Sequence, residues 1–229
     1  MKEQSIKVAV DAVVLGYKEE QLYLLLVKQR FGSFAGQWVI PGGFVLNGEG
    51  LSDAVRREVR EETGIEVDYL EQLFTFGDDV ARDPRGQVIS VSYLALVNPE
   101  KFSLNPDTDA IGAEWFPLKE IPTLPFDHTL IVKKGWERLQ AKLTYKPIGF
   151  DLLKTEFRFS DLEKLYQTIL EQPLDRRNFR KKILSFGFVE ETGGVSVDGS
   201  GRPGKLYRFN TAKYKMFEDK GFHFEIKFA

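Results

Sequence analysis

The chain has 229 residues, 42% of them hydrophobic and 29% charged, with a net charge of −2, no cysteine and two histidines. That is enough for one sizeable core plus a small second domain, and it excludes disulfides, thiolate zinc sites and cysteine nucleophiles. No apolar run approaches the roughly 20 residues of a membrane span, and the first residues lack the long apolar stretch of a secretory signal, so a cytosolic protein is expected.

Two apolar, β-branched runs, residues 7–17 and 22–29, flank the polar Lys18-Glu19-Glu20-Gln21 and predict a hairpin. A Gly/aromatic loop follows to Trp38, and the Pro41-Gly42-Gly43 triplet breaks regular structure. Leu51, Val55 and Val59 set an apolar stripe on a helix over 51–63, with Gly64 at the C-cap position. Strands are predicted over 71–76, 88–97 and 113–118, the first two joined by the charged turn 77–86. Asp127 is placed to cap a helix reaching about residue 143, with Leu130, Ile131, Trp136 and Leu139 as its buried side.

Beyond Pro147 the pattern changes. Ser160-x-x-Glu163 has capping-box form and opens a helix to about 171; Asp175 can cap a second helix to about 185. Two strands, 188–191 and 205–210, then flank a Gly-rich tip. Helix, helix and ribbon outline a winged helix-turn-helix. Domains of residues 1–146 and 147–229 are therefore expected. Charge divides at the same place: 16 Lys and Arg against 22 Asp and Glu before Lys146, and 16 against 12 from it onward.

On the 51–63 helix, Glu58, Glu61 and Glu62 fall at i, i+3 and i+4, opposite the apolar stripe. Three glutamates alone would read as a solvated acidic face. Their context overrides that reading, because Gly43, Glu49, Arg57, Glu58, Val59, Glu61, Glu62, Gly64 and Ile65 fit G-x5-E-x7-R-E-U-x-E-E-x-G-U, with U apolar, at every constrained position. Through this motif the chain resembles the Nudix hydrolases. The resemblance implies an α/β/α sandwich with a mixed sheet and hydrolysis of nucleoside diphosphates linked to another group. It implies Mg²⁺ (or Mn²⁺) on Glu61 and Glu62 with the backbone near Gly43, Glu58 as further ligand or general base, and Arg57 orienting a carboxylate.

Arg82 and Arg85, in the charged turn, are candidates for phosphate contacts, equally weighted against a solvated loop. Trp38 can stack on a base, although a lone aromatic more often packs. Arg82-Asp83-Pro84-Arg85-Gly86 and Phe126-Asp127-His128 resemble ADP-ribose pyrophosphatase-like Nudix domains fused to regulators of NAD metabolism, which implies ADP-ribose or a related nucleotide as ligand.

In the rear domain Arg176, Arg177, Arg180, Lys181 and Lys182 crowd the second helix with Asn178, while Phe179, Ile183 and Leu184 supply its buried side. The second helix of a helix-turn-helix enters the major groove, so these residues are candidates for operator DNA, with Arg202 and Lys205 at the ribbon tip. The stretches 173–182 and 201–209 are similar to the winged-helix part of Nudix-related transcriptional regulators of NAD metabolism. A regulator acting as a homodimer on paired half-sites is expected; the alternative is a pyrophosphatase of ADP-ribose type with an accessory domain.

Overall fold

In the computed structural model, which describes residues 6–32, 34–105, 110–196, 203–221, 223–226 and 228, two units form, Met1–Arg138 and Leu139–Ala229. The first runs β1 (Lys7–Lys18), β2 (Gln21–Gln29), β3 (Trp38–Val39), β4 (Gly42–Phe44), α1 (Leu51–Thr63), β5 (Tyr69–Phe76), β6 (Val88–Val97), β7 (Ala110–Pro117) and α2 (His128–Tyr145), which continues past Arg138. β1 is buried from residue 9 to 16, a run apolar but for Asp11, as expected of a strand covered on both faces. It pairs in parallel with β6, from Lys7↔Val88 to Gly16↔Val97, and antiparallel with β2 and β4. The sheet order is β3-β2-β1-β6-β5, with β7 also on β2, so the sheet is mixed. At the β1–β2 turn Glu19 and Glu20 both have positive φ, 52° and 60°, the geometry that matches strand twist in a two-residue hairpin.

Successive residues of β1 face opposite sides. Val10, Ala12 and Val14 share a core with Ala54, Val55 and Val59 of α1. Val13 meets α2, where a Cβ on Gly135 would stand 2.8 Å from Val13 Cγ1. Helices thus cover both faces, the expected α/β/α sandwich. α1 ends where Gly64, at φ 77°, donates its N–H to Arg60 O.

Three sequence expectations need correction here. The Pro-Gly-Gly segment is not irregular: Gly42 and Gly43 pair with Asp11 and Val10 of β1. Leu130 is 47% exposed rather than buried, and the Asp127 carboxylate bonds Arg82 instead of capping α2, whose first turn closes on the Asp127 carbonyl.

The second unit contains β8 (Glu156–Arg158), α3 (Phe159–Leu170), α4 (Arg176–Ser185), β9 (Val189–Ser196), β10 (Gly204–Phe209) and α5 (Thr211–Lys220). The strands form a sheet in the order β8-β10-β9. Leu162, Leu165, Tyr166 and Ile169 of α3 are fully buried, as is Ile183 of α4. Around them lies an aromatic cluster in which Phe150 stacks on Phe209 at 4.1 Å. The expected Ser160–Glu163 capping box is absent. α3 begins earlier, Asp161 accepts the Arg158 N–H at 3.0 Å, and Glu163 is buried against Arg176. Among the described residues no helix is long and apolar enough to cross a membrane.

Candidate functional site

The carboxylate face of α1 is organised by one guanidinium. Arg57 holds Glu49 with two bonds, Nε–Oε1 at 2.7 Å and Nη2–Oε2 at 2.9 Å, and its Nη1 reaches Glu58 at 2.7 Å and Glu61 at 3.3 Å. Glu49 also accepts the Leu46 N–H at 3.0 Å, tying the loop before α1 to the helix. The Arg57 hydrogen bonds, helped by that amide, hold the Glu49 carboxyl down at about 2. Burial pushes Glu58 the other way, above the ordinary 4.5, with Arg57 opposing.

The sheet supplies the facing wall. Gly42 N–H donates to Glu62 Oε2 at 2.9 Å, so a buried carboxylate is anchored to β4. A Cβ on Gly43 would stand 2.3 Å from Glu58 Oε1; only a glycine lets that carboxylate lie on the backbone. Among the described residues no three acidic or imidazole side chains converge as a ready cage. The donor set is nevertheless all oxygen, three carboxylates and a bare backbone on one helix–strand seam, which suits a hard divalent cation.

Beside this seam lies a recess lined by Asp11, Gln29, Gly42, Gly43, Arg85 and His128. The two candidate arginines differ here. Arg82 forks onto Asp127 at 2.8 and 2.5 Å and stands 3.9 Å from Asp11, with its side chain 5% exposed. Arg85 is half exposed, pairs with Asp83 at 2.7 Å, and lies over the Phe44 and Phe126 rings at 4.8 and 5.5 Å. Trp38 packs edge-on against Phe116 at 4.9 Å beneath Lys28. Arg82 and Phe126 also line a wider groove of about 520 Å³ with Phe74, Phe76 and Leu130.

Sequence reasoning missed Asp11 and His128 as lining residues. His128 is buried, which lowers its pKa and keeps it neutral. Its Nδ1 accepts the Ile40 N–H at 3.4 Å, so the ring proton sits on Nε2, 3.7 Å from Asp11 Oδ1. Ser90 Oγ donates to the other Asp11 oxygen. The available signal was Asp11 itself, a lone acid inside an apolar strand.

In the second unit the basic residues divide into two sets. Arg176 binds the buried Glu163 at 2.7 Å, and Arg180 donates to Tyr207 Oη at 2.6 Å while lying 4.4 Å over the Phe159 ring. Arg177, Asn178 and Lys181 are exposed on α4, whose N-cap Asp175 accepts the Asn178 N–H at 3.1 Å. Lys205 pairs with Glu191 at 2.9 Å, and Arg202 lies outside the described residues.

The NUDIX domain family matches residues 5–135, and the NrtR DNA-binding winged helix domain matches residues 149–209. An ADPR responsive transcriptional repressor of Acinetobacter baylyi is 32% identical over 209 residues, 90% of this chain and 82% of that protein. The chain belongs to the NrtR-type Nudix regulators. The crystal structure of one such regulator, Shewanella oneidensis NrtR with a 27mer DNA, superposes with a TM-score of 0.80 at 29% identity, covering 96% of this chain and 99% of that one. The Nudix half alone is 39% identical over 127 residues to an ADP-ribose pyrophosphatase of Methanocaldococcus jannaschii, spanning 55% of this chain and 70% of that one.

Proposed function

We propose that this chain is a transcription regulator that binds ADP-ribose or a closely related nucleotide at the α1–β4 seam and operator DNA through α4 and the β9–β10 wing. The observation that carries the reading is the outward face of α4: Arg177, Asn178 and Lys181 are presented to solvent while Phe179 and Ile183 hold the helix in the core. The diphosphate would lie at Gly42 and Gly43, with the half-exposed Arg85, oriented by its pairing with Asp83, meeting phosphate and Arg82 holding the wall through Asp127. Two-fold half-sites call for a homodimer.

A second reading, retained hydrolysis, has its own support in the complete motif from Gly43 to Ile65. Glu58, Glu61 and Glu62 with the Gly43 backbone would hold Mg²⁺ or Mn²⁺, which would neutralise diphosphate charge and make hydroxide available at neutral pH. Glu58 would serve either as a further ligand or as the general base that accepts a proton from the attacking water. Gel shift on the DNA upstream of the chain's own gene, with and without ADP-ribose, tests the regulator: effector-sensitive, sequence-specific retardation is expected, and equal binding to any duplex would refute it. Release of AMP from ADP-ribose, abolished in Glu62→Gln, tests hydrolysis; no turnover by folded protein leaves a sensor alone.

A further inference from the structure

After α5 the chain turns at Gly221, φ 69°, and returns along α4. Residues of this return alternate: Phe224 and Ile226 are 3% and 8% exposed, while the His223 and Glu225 side chains are 84% and 70% exposed, the period of an extended strand over a core. Its two ends are fixed to opposite ends of the helix. Phe224 lies 6.2 Å from the ring of Phe186, the C-cap of α4, and Phe228 bridges antiparallel to Leu174, just before the N-cap Asp175.

Between helix and segment runs a groove of about 260 Å³, with Asn178, Lys181, Lys182 and Ser185 on one side and Glu225 on the other. The four helix residues are spaced i, i+3, i+4 and i+7 and form one face. The exposed acid of the segment therefore stands beside two lysines of the helix that carries the proposed DNA contacts.

We propose that residues 223–226 are a second wall of the DNA-binding surface, in which the Glu225 carboxylate restrains the phosphate affinity of Lys181 and Lys182. The inference rests on α4 being the DNA-reading helix. A carboxylate here repels the phosphate backbone and offsets part of the lysine charge, so the domain releases unrelated DNA more readily. Glu225 is exposed, so Glu225→Gln alters charge with little effect on packing.

The test is binding of the full chain to an unrelated duplex across a salt series, for the wild type, Glu225→Gln, and Glu156→Gln, an exposed carboxylate that does not line the groove. Glu225→Gln should bind about three- to tenfold tighter at low salt, with a salt slope steeper by up to about 1, and Glu156→Gln should match the wild type. Wild-type affinity in Glu225→Gln, or an equal gain in both variants, overturns the inference. A wild type that binds no duplex at all overturns instead the assignment of α4 to DNA.

Discussion

Arg57 touches three carboxylates at once, and Glu49 and Glu58 are pushed in opposite directions. Glu49 carries the firmest grip and titrates at about 2 rather than the ordinary 4.5. A carboxyl depressed by folding adds stability that is complete above about pH 4.5 and fades as pH falls through about 2. Glu49→Gln should therefore melt below the wild type at pH 7, and the gap should close on acidification to about pH 2; a gap independent of pH would contradict the pairing. The neighbouring glycines separate structure from chemistry. A Cβ on Gly42 would stand 2.3 Å from the Val10 carbonyl oxygen, whereas on Gly43 it would meet only the end of Glu58. Gly42→Ala should cost about 1–3 kcal/mol in denaturant unfolding. Gly43→Ala should keep the wild-type midpoint while Mg²⁺-dependent nucleotide binding falls about 10- to 100-fold by calorimetry.

Among the elements, α4 combines two tasks that its run of cations does not distinguish by residue type. Arg176 at its first turn neutralises Glu163, buried at 5% exposure in α3, and so fastens the two helices together. Arg177, one residue on, faces solvent. Arg176→Ala should lower unfolding stability by about 1–3 kcal/mol, because it removes the charged partner of a buried carboxylate. Arg177→Ala should leave the melt unchanged and reduce the salt slope of DNA binding by about 1. Equal effects of the two on stability would show that the helix pair is not held this way. Sequence could place the helix, since Phe179 and Ile183 sit at core spacing, but not separate Arg176 from Arg177, because the separation depends on a carboxylate 13 residues earlier. α5 was unreadable for a related reason: Tyr214 is its only buried residue, too little periodicity to signal a helix.

Across the whole chain, what was legible is what repeats or is locally constrained. The α1 stripe, the Gly64 cap and the nine-position motif all lie within 23 residues of one another, and the strands of the central sheet are long enough to declare their period. What stayed hidden depends on distant partners or on very short segments. β3, β4 and β8 have two or three residues each. The fate of Arg82 was set by Asp127, 45 positions later, and Asp11 gains its meaning only when β1 lies beside His128 and Ser90. The fan of bonds around Arg57 has a practical corollary. A guanidinium already seated among Glu49, Glu58 and Glu61 acts as a built-in counter-ion shared by all three, so stripping divalent cations leaves less uncompensated negative charge to push the helix apart. Protein dialysed against a chelator should unfold within about 1 kcal/mol of protein dialysed against buffer alone in the absence of nucleotide, and any activity lost on dialysis should return in full when the cation is added back, without a refolding step.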